Sequence, residues 1–126
     1  MSQHWILSDF SAAVDRLREA LDQPADSDLL RAGCIQYFEF CFELAWKAIK
    51  VVAAEQGLEP CPSPKACLKA AFALGWIVEE AVWLRMLEAR NRMSHTYDAK
   101  RALEVYLQLG DFLPALVALR EHLQDA

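Results

Sequence analysis

Apolar residues recur every three or four positions through almost the whole chain. After Ser8 they fall at Phe10, Val14, Leu17 and Leu21, which predicts a first helix closed by Pro24. Asp26-Ser27-Asp28 supplies N-cap residues for a second helix, predicted from about Leu29 to Gln56, with Gly57 at the position that ends it. Apolar side chains from Cys34 to Val52 almost encircle that helix, so it should be central. The segment from Gly57 to Pro64 reads as a loop, and Ser63-Pro64 as a cap followed by proline in the first turn of a short helix reaching Gly75. A fourth pattern runs from Trp76 through Ala81, Leu84 and Leu87 to about Ser94. The last opens near Asp98 and carries Ala102, Tyr106, Leu109, Leu113, Leu116 and Leu123. Pro114 inside it removes the hydrogen bond to the Gly110 carbonyl, which predicts a kink. No stretch alternates with a period of two long enough to make a strand. The expected fold is all-α: an antiparallel four-helix up-and-down bundle with one additional short helix, in a single domain over residues 1–126.

Composition sharpens this picture. Hydrophobic residues make up 55% of the chain, above the roughly 45–50% of an ordinary soluble domain. Such a chain is expected both to bury a large core and to leave an apolar seam for a second subunit. No segment reaches the ~18 uninterrupted apolar residues of a membrane span, and the first residues lack the basic and apolar regions of a signal peptide. Of the four cysteines, none forms a C-x-x-C pair, and Cys34 and Cys41 read as free thiols packed in a core. Histidine occurs only at positions 4, 95 and 122, which disfavours a zinc site. The expectation is a reduced, cytoplasmic protein with no structural metal, no cofactor and no membrane contact.

The net charge of −5 argues against a general nucleic-acid coat protein. Yet between positions 85 and 101 the chain carries Arg85, Arg90, Arg92, Lys100 and Arg101 against only Glu88 and Asp98. A positive island on an acidic body fits one local anionic ligand better than a long polyanion. Within it, Arg90-Asn91-Arg92-Met93-Ser94-His95-Thr96-Tyr97 brings together groups suited to phosphate chemistry. Arg90 presents a planar fork to phosphoryl oxygens, His95 exchanges a proton near neutrality, and Tyr97 offers a hydroxyl open to modification. Five residues on an ideal helix leave Arg90 and His95 about 140° apart. They can share a ligand only if the helix ends between them or two chains contribute to one cleft. The competing reading has both arginines satisfying terminal carbonyls and His95 capping the helix. Glu43 and Lys47, four apart, read as an ordinary helix ion pair, with Trp46 beside them in the core.

The chain as a whole resembles the bacterial nucleotidyltransferase substrate-binding proteins, a branch of the HEPN superfamily of helical bundles. The resemblance is carried by the run from Phe42 to Lys50, by Ser63-Pro64-Lys65, Ala70-Ala71-Phe72 and Gly75-Trp76-Ile77, and by the run from Trp83 to Glu88. It is strongest at Arg90-Asn91 with Ser94-His95-Thr96-Tyr97-Asp98. Arg92 stands where the family usually has an apolar residue, and Ala89 replaces a frequent acidic one, so this site is more basic than usual. The resemblance implies a homodimer in which Arg-x4-His motifs of two subunits meet. It also implies metal-independent RNA cleavage by Arg90 and His95, with Asn91 as an orienting neighbour. Because members with the His-x-Tyr extension look like toxins paired with a minimal nucleotidyltransferase antitoxin, the resemblance further implies such a partner and AMP transfer to the tyrosine, which here would be Tyr97. Arg92, Ser94, Glu43 and Lys47 are further candidates for ligand binding.

Two rival readings stand beside this one. In the first, the chain is a non-catalytic subunit that binds a nucleotide or other substrate for a separate catalytic nucleotidyltransferase. In the second, the basic patch only docks an acidic protein. The chain itself has no Gly-rich phosphate loop and no acidic triad for magnesium, so it should not be the nucleotidyltransferase.

Overall fold

The computed structural model describes residues 4–93 and 98–125. Five helices follow in order: α1 (His4–Leu21), α2 (Asp28–Glu55), α3 (Pro64–Ala73), α4 (Glu80–Met93) and α5 (Ala99–Asp125). The four longer ones form the bundle and α3 is the additional short helix, as the periodicity predicts. α2 is the hub: it packs on each of the other four, while α1 also meets α5, and α4 lies between α3 and α5. The encircling apolar pattern of α2 is thus explained by its packing against all four other helices.

Phe10 and Leu17 of α1, Phe38, Phe42 and Ile49 of α2, Trp83 and Met86 of α4, and Leu109, Phe112 and Leu116 of α5 are fully buried. The Phe38 ring sits 5.4 Å from Phe112 and 6.3 Å from Phe42. Each such side chain contributes roughly 1.5–3 kcal/mol on leaving water. α5 is long and apolar enough by composition to cross a bilayer, but Ala102, Val105, Leu109, Phe112, Leu116, Leu119 and Leu123 face this core.

Local chemistry sets the element ends. Ser27 and Ser63 are extended N-caps whose hydroxyls accept from the Leu30 and Ala66 amides at 3.2 Å. Asp98 does the same for α5, its Oδ1 accepting from the Lys100 and Arg101 amides at 2.9 and 3.2 Å. Gly57 ends α2 with φ 73°, a left-handed conformation that a side chain would strain.

Three sequence expectations are corrected. α1 begins at His4, so Ser8 lies inside it instead of ahead of it. α4 begins at Glu80, not Trp76, because Gly75 (φ 80°) turns the chain sharply. That turn folds Trp76 and Ile77 into the core within a connecting segment, with the Trp76 amide closing on the Ala71 carbonyl at 2.8 Å. Apolar residues there are buried without belonging to a helix. The third concerns the cysteines: Cys34 and Cys41 are free and buried as expected, but Cys61 and Cys67 are joined by a disulfide. The Ser63-Pro64 start of α3 brings position 67 back beneath the loop, with the two Cα atoms 5.0 Å apart. α5 runs continuously through Pro114, which lies on its exposed side.

Candidate active site

Arg90 sits in the last turn of α4, facing α2. One terminal nitrogen donates to Glu43 Oε1 at 2.5 Å, and the other to Asn91 Oδ1 at 3.2 Å. The second Glu43 oxygen accepts from Trp46 Nε1 at 2.8 Å. Both oxygens of one carboxylate are therefore committed, and the guanidinium is held with its plane fixed while roughly a third of it stays exposed. Glu39, one turn before Glu43, adds a further negative charge. Burial pushes its carboxyl above the usual range, partly opposed by the attraction of Arg90.

This arrangement revises two readings of the sequence. Glu43 is not paired with Lys47; it reaches across to α4. Lys47 instead lies over the Trp46 ring, 5.9 Å from its centroid. Trp46 is half-buried against the core yet also orients Glu43, a double role that its position in a helix does not reveal. Arg90 and Arg92 bind carboxylates, where the competing reading of the sequence had them on terminal carbonyls. Arg92 donates to Glu104 of α5 at 2.7 Å, which holds the Glu104 carboxyl below its ordinary value.

Past Met93, the candidates Ser94, His95 and Tyr97 lie outside the described residues. On the near side, a broad open groove of about 700 Å3 runs between α3, α4 and the start of α5. Asn91 and Arg92 line it, together with Lys65, Lys69 and Arg101. The two α3 lysines were not singled out as ligand-binding candidates from sequence. Their signal was present in Ser63-Pro64-Lys65, a cap that fixes where the next turn of α3 points.

A family model described as "Nucleotidyltransferase substrate binding protein like" matches residues 6–125. The chain belongs to that family. It is 36% identical over 102 residues to a Haemophilus influenzae protein named "Probable ribonuclease HepT", spanning 78% of this chain and 70% of the relative. A solved H. influenzae structure, described as the fold of a substrate binding domain of a nucleotidyltransferase, superposes with a TM-score of 0.80 at 32% identity, covering 94% of this chain and 98% of that one. A solved Thermus thermophilus protein gives a TM-score of 0.82 at 28% identity, covering 91% and 98%.

Proposed function

We propose that this family member is a HEPN-type endoribonuclease toxin, active as a homodimer without a metal ion and silenced by a partner minimal nucleotidyltransferase. The observation that carries the reading is the fixed guanidinium: Arg90, held by Glu43 and Asn91, five positions before His95. The likeness to a relative named as a probable ribonuclease supports it.

In the proposed reaction His95 takes the proton of an RNA 2′-hydroxyl as that oxygen attacks the adjacent phosphorus. The new O2′–P bond replaces the P–O5′ bond, leaving a 2′,3′-cyclic phosphate. The departing 5′-oxygen takes a proton from water to become a hydroxyl, and His95 returns its own proton to solvent. Negative charge grows on the non-bridging oxygens, which Arg90 stabilises. In the silencing step the Tyr97 hydroxyl attacks the α-phosphorus of ATP on the partner enzyme, pyrophosphate leaves, and an AMP phosphodiester remains. Its bulk and charge occupy the site beside Arg90.

An exposed apolar stripe on α2 supports the homodimer. Leu30, Tyr37 and Phe40 share a face at helical spacing and are 38–49% exposed. Phe40 lies one turn before Glu43, so a subunit seated on this stripe meets the Arg90 pair. Light scattering of wild type and Phe40→Glu tests this, with a dimer expected only for the former.

The decisive assay is cleavage of single-stranded RNA by purified protein in excess chelator. Wild type should cleave and His95→Ala should not. Intact RNA at stoichiometric protein, with dimer verified and Tyr97 unmodified by mass, would overturn the proposal. It would favour the second reading, a nucleotide-binding subunit for a catalytic nucleotidyltransferase, which the H. influenzae structure's description supports. Arg90-dependent binding of ATP without RNA cleavage is its signature.

A further inference from the structure

We propose that the groove between α3, α4 and the first turn of α5 is a track for the sugar–phosphate backbone of single-stranded RNA, separate from the Arg90–Glu43 pair. Its ligand class rests on the ribonuclease reading; its location rests on geometry alone.

Lys65 and Lys69 come from α3, Arg92 from α4 and Arg101 from α5, so three elements converge four cations on one concavity. Glu88 is the only carboxylate among its lining residues. Lys65 and Arg101 make no salt bridge among the described residues. Lys69 reaches Glu80 only at 3.9 Å, and Arg92 is held by a single nitrogen, leaving the rest of its fork to donate. On a protein of net charge −5 such a cluster concentrates positive potential in one place.

Leu84 and Leu87 supply apolar surface in the groove, against which ribose and base faces can rest between phosphate contacts. The groove is broad and open, about 700 Å3, which leaves room for an extended backbone carrying spaced phosphates. Continuity favours RNA further. Asn91 lines the groove and accepts from Arg90, which sits about 100° round α4. A strand whose reacting phosphate lies at Arg90 thus has its flanking phosphates beside Asn91 and within reach of the lysines.

Fluorescence anisotropy with a labelled single-stranded RNA of about 12 nucleotides, within the range such sites span, tests the track over a salt series. A His95→Ala background keeps the RNA intact. Lys65→Ala/Lys69→Ala should weaken binding about tenfold and shallow the log–log salt slope by about 1.4, two phosphates at ~0.7 each for a single strand. Lys50→Ala, which removes another exposed charge, from α2, should leave both unchanged. Arg101→Gln, an independent element, should shallow the slope by about 0.7. If wild type cleaves RNA but the groove variants keep its affinity and slope, the track is overturned and the ribonuclease stands. Groove-dependent binding without cleavage does the reverse, upholding the track and overturning the ribonuclease. A wild type that neither binds nor cleaves RNA sinks both, as does an equal loss from Lys50→Ala for the track alone.

Discussion

Arg90 and Glu43, 47 positions apart in sequence and on different helices, form an ion pair whose acidic partner is itself held by the Trp46 indole. The pair ties the last turn of α4 to the middle of α2. Whatever anion approaches Arg90 meets a guanidinium whose orientation is already set, so little ordering remains at the moment of binding.

Glu43→Gln tests that relationship directly. The neutral amide can still accept from Trp46 but loses the charge-assisted bond. Because about a third of each side chain is exposed, the stability cost should be small, about 1 kcal/mol by chemical denaturation. RNA cleavage should fall more than stability does, with Lys47→Gln as a neighbouring change that leaves the Arg90 geometry intact.

Arg90→Lys should behave as a severe substitution despite keeping the charge. An ammonium cannot donate to Glu43 and Asn91 while presenting a planar face to phosphate. Loss of about 100-fold in kcat for RNA cleavage is expected, with near-normal thermal stability.

The disulfide makes a countable prediction. Thiol titration of denatured, unreduced protein should find two thiols, Cys34 and Cys41, rising to four after reduction. In the native state Cys41 should resist alkylation at pH 8, since burial pushes its thiol up to about 12. Cys61→Ser/Cys67→Ser should cost about 2 kcal/mol, as the bond closes only a short loop.

At low pH, Asp15 should matter. Arg120 of α5 donates to it at 2.7 Å, and Arg18 at 2.9 Å, so its carboxyl is held below the ordinary range. A depressed folded value means the stabilisation is present above the unfolded value of about 4 and disappears as pH falls through the folded one. Asp15→Asn should therefore flatten the acid limb of Tm against pH and lower Tm at neutrality.

Glu39 carries the opposite sign. Its carboxyl is raised by burial, so at neutral pH the charged form is disfavoured in the folded state, and protonation on acidification relieves that cost. Glu39→Gln should raise Tm at pH 7, and the gain should shrink as pH falls below the folded value. A lower Tm at pH 7 would show that attraction to Arg90 outweighs burial.

Helix number, order and most boundaries were legible in the chain because they depend on short-range rules: apolar spacing, Ser caps, proline at a first turn and glycine at a C′ position. Arg90 also stood out as a candidate, through the run of groups around it. What those groups touch was not legible. Glu43 has a cation four residues away on its own helix, and spacing alone favours that partner. Only the packing of α2 against α4 brings Arg90 closer and redirects the charge. The same holds for the groove, whose cations lie up to 36 positions apart and converge because α3 and α5 both flank α4. It holds too for Cys61 and Cys67, joined by a turn, and for Trp76, buried outside any helix. Local sequence determines which backbone bonds close within a few residues. Partners for long side chains are chosen by whichever groups the folded core places nearest, and that choice exists only in three dimensions.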